Sequence, residues 1–287
     1  MKINWKRIGL ALGLSLSLLV TGCQSDSASN EKKGSVELVY VEWDTEIAST
    51  HVVGEVLEDL GYDVKLTPLD NAVMWEAVSK GEADGMVAAW LPGTHAAQLE
   101  QYGEKMIDLG PNLEGAKIGL VVPEYMNVDS IEDLTNEAKM TITGIEPGAG
   151  VVQASEEAVS EYENLNGWKV QTSSSGAMAT ALGQAIENGE EIIVTGWSPH
   201  WKFGKYDLKY LEDPKGVFGE AESIHTFVRE GLQEDLPEVY QLLDNFYWET
   251  SDMEEVMMLI QDGKSPEDAA REWVDGNQEI VKKWIEG

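Results

Sequence analysis

Two spacings of apolar residues alternate along the chain. Short apolar runs of strand length are separated by stretches in which apolar residues recur at helical spacing. Residues 36–41 read as a strand and 47–60 as a helix, with Gly61 placed just beyond its end. A strand at 64–66, a helix at 71–80 closed by Gly81, and a strand at 85–89 complete the first unit. This order of elements predicts a mostly parallel sheet covered by helices. The apolar run at 118–123 ends in Pro123 and reads as a crossover into a second lobe. There the alternation repeats: strand 141–144, helix 151–162, strand 169–170, helix 175–188, strand 192–195. Residues 224–228 alternate apolar and polar, as suits a return crossover. The remainder, 236–287, reads as helical, with Trp248, Trp273 and Trp284 spaced to pack these helices onto the first lobe.

The chain begins differently. Lys2, Lys6 and Arg7 precede an apolar run at 8–20, the arrangement of an export signal and too short for a membrane span. Val20-Thr21-Gly22-Cys23 resembles the lipobox of bacterial lipoproteins, in which the cysteine becomes a lipidated N-terminus. Cys23 is the only cysteine, so no intramolecular disulfide can form. The expected organisation is a signal peptide at 1–22 and a lipidated Cys23 with a Ser-rich tether to residue 35. Lobe I follows at 36–118 plus 225–287, with lobe II at 119–224. Such a chain is anchored to the membrane from outside the cytoplasm. The 20 Lys and Arg stand against 52 Asp and Glu, a net charge of −32. That balance argues against nucleic acid and against binding an anionic membrane by charge. It keeps the surface solvated, and adds an attraction for cations that salt screens beyond about 10 Å.

The pattern contains a duplication. Lys80-Gly81-Glu82 leads through an apolar strand to Trp90-Leu91-Pro92, and Asn188-Gly189-Glu190 leads through 192–194 to Trp197-Ser198-Pro199. Each lobe therefore delivers a Trp-x-Pro at the carboxyl end of a strand, where open α/β sheets bind ligands. Trp43 follows the first strand in the same way. Tryptophans are most often packing residues, and Trp75 and Trp168 suit that role. Three indole faces at strand ends also suit a compact cation, each contributing about 0.5–2 kcal/mol. A quaternary ammonium has no N–H to satisfy, so an aromatic cage fits it without stranding polar groups. Spacing alone leaves both readings open.

The turn at 144–150, Gly-Ile-Glu-Pro-Gly-Ala-Gly, links a strand to a helix and offers free amide N–H groups to an anion. It lacks the Gly-Lys-Ser/Thr ending of a phosphate loop and any Lys or Arg, which favours a carboxylate. An ordinary βα turn has the same composition. His95, five residues past Trp90, is a candidate donor to that carboxylate or a structural histidine. Glu42 and Asp44 flank Trp43, and alternation turns one or both away from a cleft. Ser198 is not in a nucleophile elbow, and the histidines lack metal-ligand spacing, so no catalytic residue, metal or cofactor is expected.

Four segments together carry a resemblance: YVEWDTE at 40–46, AWLPGTH at 89–95, TGIEPGAG at 143–150 and TGWSPHW at 195–201. They look like the glycine betaine-binding lipoproteins of osmoprotectant ABC importers, the OpuAC-type substrate-binding proteins. The resemblance implies a type II periplasmic-binding-protein fold of two α/β lobes joined by two crossover segments, closing on a betaine. It also implies a trimethylammonium prism of Trp43, Trp90 and Trp197, with the carboxylate on the Gly144 and Ile145 amides and His95. The implied ligand is glycine betaine or proline betaine, with choline or carnitine as the alternative. The implied partners are an ABC permease transmembrane subunit with its ATPase, and the protein is expected to be a monomer.

Overall fold

The computed structural model describes residues 32–287, so the expected leader at 1–22 and the lipid-bearing Cys23 lie outside the described residues. The first half-sheet is built from β1 (Ser35–Tyr40), β2 (Asp63–Pro68) and β3 (Gly85–Leu91), with α1 (Asp44–Asp59) and α2 (Asn71–Ser79) between them. β1 lies parallel to both β2 and β3. Gly61 and Gly81 adopt φ of 96° and 69° just past the ends of α1 and α2. These left-handed positions are the ones glycine fills without a Cβ penalty, which explains how the sequence marks both helix ends. All seven residues of β3 are buried, because strands flank it on both sides and helices cover it. After β3 comes α3 (Ala96–Tyr102).

The connection to the second half-sheet is a single long strand. β4 runs Met106–Pro123, starting twelve residues before the apolar run that the sequence advertises. Gly110 and Gly115 have positive φ, and the register shifts around Pro111 and Glu114. These bulges punctuate the strand with residues that read as turns. The second half holds β5 (Thr141–Thr143), β6 (Lys169–Gln171), β7 (Ile193–Ser198) and β8 (Leu208–Tyr210). Its helices are α4 (Gly150–Glu161), α5 (Ser175–Asn188) and the short α6 (Lys202–Lys205). The chain returns in β9 (Glu222–Arg229).

Strand order is β2-β1-β3-β9-β4-β7-β5-β6, with β8 also on β4. From Met106 to Ala116, β4 pairs with β9; from Lys117 onward it pairs with β7 and β8. β9 pairs only with β3 and the first part of β4. Residues 224–228 therefore lie inside the first half-sheet rather than in the return crossover, which precedes Glu222. Their alternation reflects an antiparallel strand, not a crossing. The sheet is correspondingly mixed, since the strands that join the halves run antiparallel to their neighbours.

The C-terminal region folds as α7 (Leu232–Asp235), α8 (Pro237–Asn245), α9 (Thr250–Gln261), α10 (Pro266–Gly276) and α11 (Gln278–Glu286). It is not one continuous helical stretch. Gly263 at φ 102° ends α9, and Ser265 caps α10 by accepting the Asp268 N–H at 3.1 Å. Trp248, Trp273 and Trp284 are buried against one another. Trp273 and Trp284 stack at 5.7 Å, Trp248 meets Trp273 edge-on at 5.6 Å, and the Trp248 backbone N–H donates to the Asn112 carbonyl of β4. Among the described residues no helix is long and apolar enough to cross a membrane.

Candidate functional site

β3 and β7 do not stop before their tryptophans. Each continues through Trp90 or Trp197 as its last-but-one residue, which points those rings where a strand side chain must go. Trp43 occupies the residue before α1, in extended conformation. The three indoles, all buried, line one small, largely apolar cavity. Thr45, Thr94, Ile118 and Ile145 complete its wall together with Gly150 and Val151 at the start of α4. Trp75, by contrast, is fully buried packing, and Trp168 is also buried, away from the cavity lining.

His95 is fully buried beside this cavity. Its ring stacks on Trp43 at 6.1 Å and meets Trp75 edge-on at 5.7 Å. Nδ1 accepts the Trp90 backbone N–H at 3.0 Å. A neutral imidazole that accepts at Nδ1 must carry its proton on Nε2. That Nε2–H has no partner among the described residues. Burial pushes the His95 pKa down to about 3, so the ring stays neutral across the physiological range. The result is a fixed, uncharged donor without an acceptor.

The anion turn differs in detail from its expected form. The Gly144 N–H donates to the Gln171 carbonyl at 2.8 Å, extending the parallel ladder of β5 and β6. Gly144 is thus not a free donor, whereas Ile145 N–H has no partner among the described residues. Gly150 and Val151, in the first turn of α4, are further open donors on the cavity wall, as helix geometry requires of first-turn amides. Gly150 also sits against Thr94: a Cβ there would lie 2.3 Å from the Thr94 carbonyl oxygen.

Several polar groups that spacing did not reveal hold these parts in place. Glu222, at the start of β9, accepts the Gly93 and Thr94 N–H groups at 2.6 and 2.7 Å and so fixes the turn that leads to His95. Glu146 accepts the Trp43 indole N–H and the Ser175 N–H, both at 3.1 Å. Asp44 faces the second half after all, accepting from Trp201 Nε1 at 2.7 Å and Ser175 Oγ at 3.2 Å, while Glu42 is exposed. The reason is that Asp44 begins α1, so strand alternation no longer governs it. Burial works against its charge, but the His200 ring, the Trp201 N–H and Lys202 more than offset this and hold its pKa at about 2. Lys202 is buried with its Nζ 4.2 Å from the centre of the Trp197 ring, and burial lowers its pKa to about 7. The described residues contain no cluster of His, Cys, Asp and Glu able to hold a metal.

Residues 34–276 match the family model described as the substrate-binding domain of ABC-type glycine betaine transport systems, OpuAC. A glycine betaine/carnitine transport binding protein, GbuC, from Listeria monocytogenes is 49% identical over 160 residues. That alignment covers 55% of this chain and 53% of the relative, so the chain spans about half the length of that curated protein. Lactococcal OpuAC, solved in its closed-liganded conformation with glycine betaine, superposes with a TM-score of 0.86 at 57% identity, covering 88% of this chain and 100% of that one. ProX from Borrelia burgdorferi, described as a glycine/betaine/L-proline-binding protein, gives 0.84 at 35% identity, covering 88% and 96%. The architecture is accordingly the α/β fold of type II periplasmic binding proteins, in a family of substrate-binding proteins rather than enzymes. The chain belongs to the OpuAC family, the substrate-binding domains of ABC-type glycine betaine transport systems.

Proposed function

We propose that this protein captures glycine betaine, or a close relative such as proline betaine, outside the cytoplasm. It then delivers the ligand to an ABC permease subunit coupled to its ATPase. The observation that carries this reading is the pairing of two unlike surfaces around one cavity. Trp43, Trp90 and Trp197 present aromatic faces, while the unpartnered Nε2–H of His95 and the open Ile145 amide lie beside them. A zwitterion with a quaternary ammonium and a carboxylate matches both. The cation takes the cage by cation–π attraction, and the anion takes the donors. First-turn amides at Gly150 and Val151 add partial positive charge on the anion's side.

In this reading, the half carrying β1–β3, β9 and the C-terminal helices and the half carrying β5–β8 act as two lobes that close over the ligand, flexing where β4 passes from one half-sheet to the other. The protein is a monomer tethered by a lipid on Cys23. Calorimetric titration of the purified protein with glycine betaine, proline betaine, carnitine and choline tests the assignment. Glycine betaine or proline betaine should bind most tightly. A ligand order led by choline would shift the function to choline capture, and no binding of any of the four would refute it.

A further inference from the structure

Behind Trp90 lies a charge that the cage does not use directly. Glu46, in the first turn of α1, is 1% exposed. Its Oε1 accepts the Trp90 indole N–H at 2.7 Å, and its Oε2 accepts the Thr45 hydroxyl at 2.5 Å. Both donors belong to residues that line the cavity. Its neighbour Asp44 has His200 and Lys202 beside it, but among the described residues no cationic side chain forms an ion pair with Glu46, and the charge of Asp44 opposes its ionisation. A carboxylate buried without a counter-ion is costly. Burial raises the Glu46 pKa to about 7, with the Thr45 and Trp90 hydrogen bonds pulling the other way. The cavity on the far side of Trp90 and Thr45 is where a cation would relieve that cost.

We propose that Glu46 is the counter-charge of the bound ammonium and makes the cage select a cation over an uncharged group of the same shape. This inference rests on the cage reading above. Glu46 acts in two ways. Its charge attracts the cation across the width of one indole, and its hydrogen bond pushes electron density into the Trp90 ring, strengthening the face presented to the ligand. A purely orienting role would fix the ring equally for every ligand. Charge selection favours only cations.

The distinguishing ligand is 3,3-dimethylbutanoate, which keeps the carboxylate and the three methyl groups of glycine betaine but replaces nitrogen with carbon. The wild-type protein and Glu46→Gln are titrated with both. The amide oxygen of glutamine still accepts the Trp90 N–H, so ring orientation survives while the charge is removed. Glu46→Gln should weaken glycine betaine about 10-fold or more, for unit charges about an indole width apart at an effective dielectric near ~20. The carbon isostere should bind Glu46→Gln no more weakly than wild type. An unchanged betaine-to-isostere ratio in Glu46→Gln overturns the proposal. A wild-type protein that does not discriminate between the two ligands removes the cage reading itself, and this inference with it.

Should Glu46→Gln not fold, the wild-type ratio measured between about pH 6 and pH 8 carries the same test, because Glu46 becomes ionised over that range. The other titratable groups near it are Asp44 on the same helix, Lys202 and His200 beside Asp44, and His95 on the turn after β3. Of these only Lys202 also titrates near pH 7. The ratio should rise with pH in both wild type and Lys202→Met. A flat ratio in Lys202→Met refutes the role of Glu46.

Discussion

Replacing His95 by alanine separates the carboxylate site from the cation cage. Two polar groups depend on this ring. The Trp90 N–H loses its acceptor at Nδ1, and the cavity loses the Nε2–H donor. A hydrogen bond to a charged partner contributes about 1.5–3 kcal/mol, and one to a neutral hydroxyl about 0.5–1.5 kcal/mol. At about 1.4 kcal/mol per decade, glycine betaine should lose about 10- to 150-fold in affinity and choline about 2- to 12-fold. The ring also supports Trp43 by stacking, and that loss falls on both ligands because both place an ammonium in the cage. The informative quantity is therefore the ratio of the two affinities. It is read by calorimetry for glycine betaine and by competition for choline. An equal loss for both ligands would mean that His95 only props the cage and that the anion is held elsewhere. The stranded Trp90 N–H should also lower unfolding stability by about 1–3 kcal/mol, measured without ligand.

Other consequences are direct. Trp90→Ala and Trp197→Ala each remove one cation–π face and its contact area, so glycine betaine affinity should fall by about an order of magnitude or more; titrations that overlay wild type would sink the cage. Gly150→Ala places a Cβ 2.3 Å from the Thr94 carbonyl oxygen, which prevents the two walls from meeting. It should cut betaine affinity about 10-fold while leaving the ligand-free melting temperature within about 2 °C, and unaltered affinity would mean that the contact is not needed for binding. Trp273→Ala opens the Trp248–Trp273–Trp284 stack and should cost about 3–5 kcal/mol of stability with betaine affinity unchanged, as checked by urea unfolding and calorimetry.

Much of the site was legible because its residues end strands. Trp90 follows an apolar run and Trp197 a run broken only by Thr195 and Gly196, and each stands two residues before a proline, which places both at a strand's carboxyl end. Gly61 and Gly81 marked helix ends for an equally local reason. What stayed hidden depends on partners distant in sequence. Glu46 lies in the first turn of a helix, where an acidic residue is favoured by the helix dipole and usually solvated, and nothing nearby reveals the Trp90 indole that it meets. Glu222 reaches Gly93 and Thr94 across 129 and 128 positions. Gly144 reads locally as a free amide because the Gly-rich turn does not show that the β6 side supplies the Gln171 carbonyl to its N–H. The first part of β4 is hidden for the same kind of reason, its bulge glycines reading locally as turns.

The acid response of the fold gives a test independent of any ligand. The His95 and His200 pKa values sit at about 3 and about 4 in the folded chain, against 6.5 for an ordinary histidine. Burial is the main cause in both, with the charge of Lys202 adding at His200 and Asp44 opposing it. Below pH 6.5 the unfolded chain binds protons that these two rings refuse, so stability present above that pH is lost as pH falls toward 4. Each such site contributes a slope of up to about 1.4 kcal/mol per pH unit. Glu46 works in the opposite sense. With its folded pKa raised from 4.5 to about 7, the native state takes up its proton first, and stability rises as pH falls from 7 toward 4.5. Glu46 offsets part of the histidine effect in wild type. Glu46→Gln removes only that offset and should steepen the loss of stability between pH 6.5 and 4.5, read by chemical unfolding at several pH values. Parallel stability curves for the two proteins would mean that Glu46 is ionised in the native state throughout. Its buried charge would then already be balanced before any cationic ligand arrives.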